Sequence, residues 1–281
     1  MCAAFRPSEL LLISSRRNPL VRRLRQLHTP AGRRQEGLVL LEGTHLAQEV
    51  LRLDLQPRQL LCTPAWGEAH PGLLAELGSR MANPGSVQAP TLVSEAVLAA
   101  VATTEHPDGV VLTLEPPQTP AHSSTFVLVL DGIQDPGNLG TLLRTALAAG
   151  IEQVWLAGGA DPLQPKVLRA SAGAALALPQ RRLERPGVVG LVNQARASGQ
   201  QVVAAVPPAA AGAQAYWQLD WRPPTLLLLG AEGPGLSTAL LELATHRVCI
   251  PHSAAVESLN VAVAAAPLLL ERWRQERMPD N

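Results

Sequence analysis

The second half of the chain alternates short apolar runs with helix-like segments, and this alternation restricts the fold more than any other feature. Runs such as FVLVL at 126–130 and TLLLL at 225–229 contain no charged residue. Uninterrupted apolar strands of this length are typical of a parallel sheet covered by helices on both faces. The pattern therefore predicts an α/β domain with a mostly parallel sheet. Its predicted strands are 126–131, 153–157, 201–206, 225–230 and 247–250, and its predicted helices are 139–149, 165–173, 187–199, 235–244 and 257–276.

The first half alternates strands and helices on a smaller scale. Its predicted strands are 38–43, 59–63 and 109–114, and its predicted helices are 44–55, 71–81 and 94–105. Between the halves lies a stretch with three prolines and several hydroxyl side chains but no apolar residue larger than alanine, which is typical of a linker. We therefore predict a first domain over 1–115, a linker over 116–124 and a second domain over 125–281.

Positive charge is concentrated at the start of a chain whose formal net charge is zero. The first 35 residues contain eight arginines and a single acidic residue, Glu9. Such an arm either binds phosphate groups or forms the solvated face of a helix, and composition alone leaves both interpretations open.

Several common functions lack their sequence signals. Cys2, Cys62 and Cys249 have no metal-ligand or disulfide spacing, so we expect no bound metal and a reducing compartment such as the cytoplasm. The longest apolar run, 261–270, is too short to cross a bilayer. No P-loop, no G-x-G-x-x-G after a strand and no G-x-S-x-G occurs, which argues against a P-loop enzyme, a dehydrogenase and a hydrolase.

Three strands of the second half end in a polar or glycine-rich corner that leads towards a helix. The corners are DGIQDPGN after the first strand, GAEGPGLS after the fourth and IPHSAAVESLN after the fifth. Ligands bind beyond the carboxyl ends of strands in open parallel sheets, so neighbouring strands would bring the corners into one site. Their glycines allow a backbone to approach a ligand closely. Residue-level reasoning therefore predicts a nucleotide-like ligand site and leaves its reaction undetermined.

The polar residues of the corners also have ordinary structural explanations. Asn138 and Ser258 are candidate helix caps, and Glu232 fits a solvated loop. Arg144 is the single cation of the helix after the first corner, and at 100° per residue it lies opposite the apolar face. Taken alone, the helix pattern favours an arginine that only faces solvent.

The three corners, in this order, resemble the three motifs of the SpoU (TrmH-like) RNA ribose 2′-O-methyltransferases of the SPOUT superfamily. KVLRASAGAALALP at 166–179 is similar to the segment between the first two motifs. SRRNPLVRRLRQL at 15–27 and LLEGTHLAQEVL at 40–51 resemble the small L30e-like substrate-binding domain found ahead of many catalytic domains of this family. The resemblance covers nearly the whole chain. It implies a mostly parallel sheet with a C-terminal trefoil knot, preceded by an L30e-like α/β domain.

The resemblance also implies a chemistry and its residues. The reaction would be methyl transfer from S-adenosylmethionine to a ribose 2′-hydroxyl of structured RNA, with ribosomal RNA favoured. Transfer RNA and a non-catalytic RNA-binding role are the alternatives. Catalytic or substrate roles fall on Asn138, Arg144, Glu232, Ser258 and Asn260, and cofactor contacts fall on Gly230, Ile250 and Leu259. RNA contacts fall on Arg16, Arg17, Arg22, Arg23 and Arg25.

Two further expectations follow from the last helix and the third corner. Family members are usually homodimers joined by the last helix, here 257–276, in which Pro267 predicts a kink. His252 stands where the family commonly has methionine, and we expect it to fill a loop rather than to contact substrate. Because a guanidinium stays protonated in proteins, Arg144 is expected to bind a phosphate and stabilise alkoxide character rather than to act as a base.

Overall fold

The computed structural model describes residues 12–81, 89–117 and 124–277. The chain divides into two compact units, the first comprising Met1–Pro117 and Leu163–Gly173, the second Gln118–Pro162 and Ala174–Asn281. The segment 163–173 thus clusters with the first unit, although the sequence analysis assigns it to the second domain. Most of the predicted linker, residues 118–123, lies outside the described residues, and the predicted domain boundaries stay a prediction.

The first unit contains a mixed four-stranded sheet in the order β1-β4-β2-β3. β4 runs antiparallel to β1 and β2, and β3 pairs in parallel with β2. The three predicted strands are present, whereas the short β3 and the helices α1, α2 and α4 were not predicted. The strands are β1 (Val39–Glu42), β2 (Gln59–Cys62), β3 (Thr91–Leu92) and β4 (Val110–Leu114), and the helices are α1 (Pro19–Gln26), α2 (Pro30–Glu36), α3 (Thr44–Arg52), α4 (Pro64–Ala69), α5 (Pro71–Met81), α6 (Glu95–Val101) and α8 (Pro165–Ala170).

Residues 1–11 of the arginine-rich arm, with Arg6, lie outside the described residues, and its described part forms the helix α1 and most of α2. Asn18 caps α1 by accepting a hydrogen bond from the amide of Leu20, and Pro19 provides the fixed φ of a first helical turn. Val21 and Leu24 are fully buried in the cluster that includes residues of α6. Burying each such side chain contributes about 1.5–3 kcal/mol. The described part of the arm therefore belongs to the folded unit.

Residues 163–173 contribute the helix α8, which packs against β1 within the first unit. Val167 and Leu168 of this helix are fully buried. Arg169 forms an ion pair of 2.9 Å with Glu42, whose carboxylate also accepts hydrogen bonds from Thr103. The charge of the buried Glu42 is therefore compensated by a residue that lies more than a hundred positions later in the sequence.

The second unit is built on a seven-stranded sheet in the order β7-β6-β5-β10-β8-β11-β9, in which every neighbouring pair is parallel. The prediction of a mostly parallel sheet is therefore confirmed, and the trefoil knot stays a prediction. The strands are β5 (Phe126–Asp131), β6 (Gln153–Ala157), β7 (Gln180–Leu183), β8 (Gln201–Ala205), β9 (Ala213–Ala215), β10 (Thr225–Gly230) and β11 (His246–Cys249), and the helices are α7 (Pro136–Ala148), α9 (Ala174–Ala177), α10 (Arg185–Ala197), α11 (Thr238–Leu241) and α12 (Val261–Arg277).

Most predicted helices differ from the observed ones at one or both ends. The helices predicted at 44–55 and 94–105 end at Arg52 and Val101, and the helix predicted at 139–149 begins at Pro136. The helix predicted at 235–244 is reduced to α11, because Gly233 and Gly235 have φ of +84° and +69° and hold the preceding residues in a turn. The helix predicted at 257–276 starts at Val261 instead and continues through Pro267. The helix predicted at 165–173 ends at Ala170.

The order of the strands brings the three corners together. β5 and β10 are neighbours in a register that pairs Asp131 with Gly230, so the first two corners leave the sheet side by side. β10 also pairs with β8, and β8 pairs with β11, from which the third corner begins. None of the helices in the described ranges is long and apolar enough to span a membrane.

Candidate active site

A cavity of about 320 Å³ opens at the carboxyl ends of β8, β10 and β11. Its volume is at the lower end of the range of roughly 300–1,000 Å³ that small-molecule sites occupy. Val261, Ala264 and Leu268 form an apolar wall on α12, while Val206 and Pro207 follow β8. The cavity therefore lies where open parallel sheets bind their ligands.

The three residues predicted to contact a cofactor, Gly230, Ile250 and Leu259, all line this cavity. Ser258 and His252 line it as well. His252 is half-buried, and its Nδ1 lies 2.8 Å from the carbonyl oxygen of Ile250. We expected this histidine only to fill a loop, and the structure places it in the wall of the cavity.

The loop that follows β10, residues 230–237, is called the glycine loop below. A Cβ atom at Gly230 would lie 2.1 Å from the carbonyl carbon of Gly235, so only glycine fits beneath the returning loop. The amide of Gly235 donates to the carbonyl of Ala231 at 2.9 Å and closes the turn. The close approach of its own chain is thus enough to require glycine at 230, and the predicted contact of Gly230 with a cofactor stays a prediction.

Asn138, Glu232 and Asn260 form one hydrogen-bonded network that joins the three corners. The amide groups of Asn138 and Asn260 both donate to Oε1 of Glu232, at 2.6 and 2.9 Å. Nδ2 of Asn260 also lies 3.1 Å from Oδ1 of Asn138. Residues separated by up to 122 positions are thereby held at one point.

The capping of α7 and α12 leaves the side-chain amide groups of Asn138 and Asn260 available for the network. Asp135 caps α7 by accepting from the amide of Asn138, so the side chain of Asn138 is not needed as a cap. Asn260 caps α12 with its oxygen, which accepts from the amides of Ala262 and Val263. Its amide nitrogen joins the network. Ser258, which the sequence left as a candidate cap, lies two residues before this cap.

A second cavity, of about 180 Å³, adjoins the network. It is lined by residues of the first corner, including Asp135 and Asn138. Ala231, Glu232 and Val261 line both cavities. The network therefore lies between the larger and the smaller cavity.

Arg144 is exposed on α7, six residues beyond Asn138, or about 9 Å along the helix axis. Among the described residues its guanidinium makes no hydrogen bond or ion pair, and it lines neither of the two cavities. The structure therefore brings together four of the five residues predicted to act on substrate, at the network or the cavity beside it, and leaves Arg144 facing solvent.

A buried carboxylate at the end of β5 was not predicted. Asp131 is 1% exposed, and its two oxygens accept from Nε of Arg185 and from the amide of Ser237, each at 2.8 Å. Burial by itself would raise the pKa of Asp131, but the hydrogen bonds from Ser237 and Arg185 outweigh burial and lower the pKa. No sequence signal joins these residues, since Asp131 and Ser237 are 106 positions apart.

The predicted RNA-binding arginines lie on the first unit and differ in their surroundings. Arg17, Arg22 and Arg25 are exposed. Arg16 donates from Nε to the carbonyl of Ala96 at 3.0 Å, and Arg23 forms an ion pair with Glu36. Within the ranges that the structure describes, no group of His, Cys, Asp and Glu side chains could hold a metal ion.

Comparison with known proteins identifies the class of protein that this fold and site define. Residues 125–270 match the SpoU rRNA Methylase family, and residues 18–112 match the MRM3-like substrate binding domain. The chain therefore belongs to the SpoU rRNA methylase family, and the resemblance read from the three corners is confirmed. The fold and the RNA methyltransferase class agree with this assignment.

Individual relatives extend over almost the full length of the chain. An uncharacterized tRNA/rRNA methyltransferase of Synechocystis sp. is 45% identical over 96% of both chains. The 23S rRNA (guanosine(2553)-2′-O)-methyltransferase RlmP of Bacillus subtilis is 32% identical over 92% of this chain and 97% of its own. The AdoMet-bound structure of an rRNA methyltransferase from Sinorhizobium meliloti is 28% identical, with a TM-score of 0.77 over 96% of this chain and 99% of that one.

Proposed function

We propose that this chain transfers the methyl group of S-adenosylmethionine to a ribose 2′-hydroxyl of ribosomal RNA. Family membership supports methyl transfer, and the activity named for the RlmP relative supports ribosomal RNA as the substrate and the 2′-oxygen as the acceptor. The structural observation that carries the proposal is the network of Asn138, Glu232 and Asn260 beside the cavity at the strand ends.

The residues around the larger cavity fit S-adenosylmethionine. Leu229, Val248 and Ile250 offer an apolar surface to an adenosyl group, and the carboxylates of Glu232 and Glu257 are suited to a sulfonium cation. Gly230, Ile250 and Leu259 are the residues proposed to hold the cofactor. When bound, S-adenosylmethionine supplies an electrophilic methyl group on a positively charged sulfur.

The residues of the chain then have separate tasks in the proposed reaction. Asn138 and Asn260 hold Glu232, and with it the glycine loop, in a single geometry between the two cavities. Alignment of reacting groups lowers the activation barrier by about 7–11 kcal/mol in favourable cases. Ser258 faces the cavity, where its hydroxyl is available to the substrate or cofactor.

Arg144 carries the electrostatic part of this proposal. Its exposed guanidinium has no partner among the described residues, so its donors are available to an RNA phosphate. A positive charge near the ribose stabilises the negative charge that develops on the 2′-oxygen. It does not accept the proton of the hydroxyl, because a guanidinium remains protonated at neutral pH.

The first unit is proposed to hold the RNA. Its exposed Arg22 and Arg25 lie on α1 and the exposed Arg17 lies just before this helix, which suits contacts to phosphates and to the shape of structured RNA. We also propose a homodimer joined through α12. In support, this helix exposes Val263, Leu270 and Trp273 by 62%, 44% and 39%.

Ribosomal RNA as the substrate implies that the protein acts in the cytoplasm.

The decisive experiment measures cofactor binding and methyl transfer separately. Calorimetry with S-adenosylmethionine is expected to give saturable binding, and NAD serves as the control ligand. Unmethylated 23S rRNA transcripts should gain a 2′-O-methyl group that mass spectrometry assigns to one nucleotide, whereas tRNA should not. Binding of RNA without methyl transfer at saturating cofactor would refute the proposal that the chain is an enzyme. Methylation of tRNA but not of rRNA would refute the assignment of ribosomal RNA as the substrate.

A further inference from the structure

The buried Asp131 lies next to the proposed active site but takes no part in the network described above. It is the last residue of β5, and its side chain is 1% exposed. An unpaired carboxylate is costly to bury, and at a strand end an apolar residue would pack at least as well. The carboxylate therefore needs an explanation in terms of what its two oxygens hold.

Each oxygen of Asp131 holds a different element. Oδ2 accepts from the backbone amide of Ser237, the last residue of the glycine loop, at 2.8 Å. Oδ1 accepts from Nε of Arg185, the first residue of α10, at 2.8 Å. The side chain of Arg185 is 53% exposed, so this arginine pairs with the buried charge from the solvent side. The carboxylate thus connects β5, the glycine loop and α10.

Leu236 of the glycine loop packs against the core, and side-chain hydrogen bonds hold the loop at two further points, one of which Asp131 supplies. Glu232, near its start, is bonded to Asn138 and Asn260, while Ser237, at its end, is bonded to Asp131. Between them Gly233 and Gly235 have φ of +84° and +69°, and no atom lies within 4 Å of where a Cβ would stand on either glycine. The amide of Gly235 donates only to Ala231 of the same loop, so among the described residues no side-chain hydrogen bond restrains this middle part. The same loop contributes Gly230, Ala231, Glu232, Gly233 and Gly235 to the lining of the cavity.

We propose that Asp131 is a positioning residue that fixes the far end of the glycine loop for cofactor binding, with Arg185 as its charge partner. Asp131 lines neither of the two cavities described above, so it acts through Ser237 and not by touching the cofactor. The inference rests on the proposed function for its ligand, S-adenosylmethionine. It gives Asp131, the first residue of the first corner, and Arg185 of α10 roles that the sequence alone did not indicate.

The test combines a local and a functional measurement on the full chain. Amide hydrogen exchange of the peptide that spans 231–237 reports the loop without any ligand, and calorimetry reports the affinity for S-adenosylmethionine. Asp131→Asn should raise the exchange rate in this peptide roughly tenfold and weaken cofactor affinity about tenfold, the loss expected for one hydrogen bond to a charged group. Exchange within β6 and α7 should stay unchanged.

Substitutions at Arg185 provide a second, independent arm. Arg185→Gln leaves the carboxylate without a counter-charge and should reproduce part of both effects, whereas Arg185→Lys should restore cofactor affinity to within about threefold of the wild type. Asp220→Asn is the matched control, because Asp220 forms an exposed pair with Arg222 and lines neither cavity. It should change neither measurement.

The outcomes separate this inference from the proposed function. Unchanged exchange in 231–237 together with cofactor affinity within twofold in Asp131→Asn overturns the inference, and so does an equal effect of the Asp220 control. If Asp131→Asn fails to fold, the two Arg185 variants decide in the same way. If the wild-type chain does not bind S-adenosylmethionine, the proposed function fails, and loop exchange alone then decides whether Asp131 anchors the loop.

Discussion

Asn260 performs two tasks with two different atoms, and substitutions can separate them. Its Oδ1 caps α12 by accepting from the amides of Ala262 and Val263, while its Nδ2 donates to Glu232 and Asn138. Serine retains a capping oxygen but has no amide to donate, whereas alanine retains neither. A comparison of Asn260→Ser with Asn260→Ala therefore assigns one part of the loss to the helix and the other to the network.

The size of each loss follows from these contacts. Removing an N-cap costs about 0.5–2 kcal/mol, and 1 kcal/mol lowers the melting temperature of a domain of this size by about 2–4 °C. Hydrogen bonds to a charged group are worth about 1.5–3 kcal/mol. Because Glu232 and Asn260 are exposed, we expect the lower end of this range. Removing the bonds should therefore lower the methylation rate roughly tenfold.

Differential scanning calorimetry and single-turnover methylation of an rRNA transcript give the two measurements. Asn260→Ser should melt near the wild type yet methylate about ten times more slowly, and Asn260→Ala should be both slower and less stable. Ser94→Ala removes the cap of α6 in the first unit and should leave the methylation rate unchanged. A wild-type rate for Asn260→Ser would refute the role of the network, and equal melting of the Ser and Ala variants below the wild type would refute the capping argument.

Three further predictions concern charged groups. Arg144→Ala should slow methylation by at least roughly tenfold with cofactor affinity unchanged in calorimetry, because the side chain lines neither cavity, and a normal rate would remove Arg144 from the mechanism. Arg22→Gln combined with Arg25→Gln should weaken RNA binding and reduce the slope of log Kd against log salt concentration by about 1.4–1.8, since each phosphate contact contributes about 0.9 on double-stranded DNA and about 0.7 on single strands. An unchanged slope would exclude these residues from the interface. The pKa of Asp131 lies below its usual 3.8 in the folded state, so its stabilising effect is complete above pH 3.8 and is lost as the pH falls through the folded pKa; urea titrations should show this acid-linked loss in the wild type and not in Asp131→Asn.

The interior of the parallel sheet could be predicted from the sequence, and its edges could not. β5, β6 and β10 occur at the predicted residues because each is an apolar run that ends at a sharp change of polarity. β7 and β9 form the two edges and read QRRL and AQA. An edge strand is covered on fewer sides, so its sequence lacks the apolar run by which the central strands are recognised.

The residues of the active site could be predicted from motifs, but their contacts could not. The positions of Asn138, Glu232 and Asn260 come from the resemblance to the family, whereas the shared acceptor Oε1 depends on strand order. A capping rule applied to Asn260 would have located the true start of α12. The bond between Asp131 and Ser237 has no sequence signal, because it joins a side chain to a backbone amide across a neighbouring strand.

The placement of residues 163–173 makes the first unit discontinuous in sequence. A single cut between residues 117 and 118 would yield one fragment without α8, and a second fragment that carries α8 without the strand β1 on which it packs. In the second fragment Val167 and Leu168 would meet water, and in the first Glu42 would lose Arg169 as its counter-ion. Expression of the two halves as separate proteins is therefore expected to give poorly soluble material, and the second unit becomes separable only when 163–173 is replaced by a short polar connection.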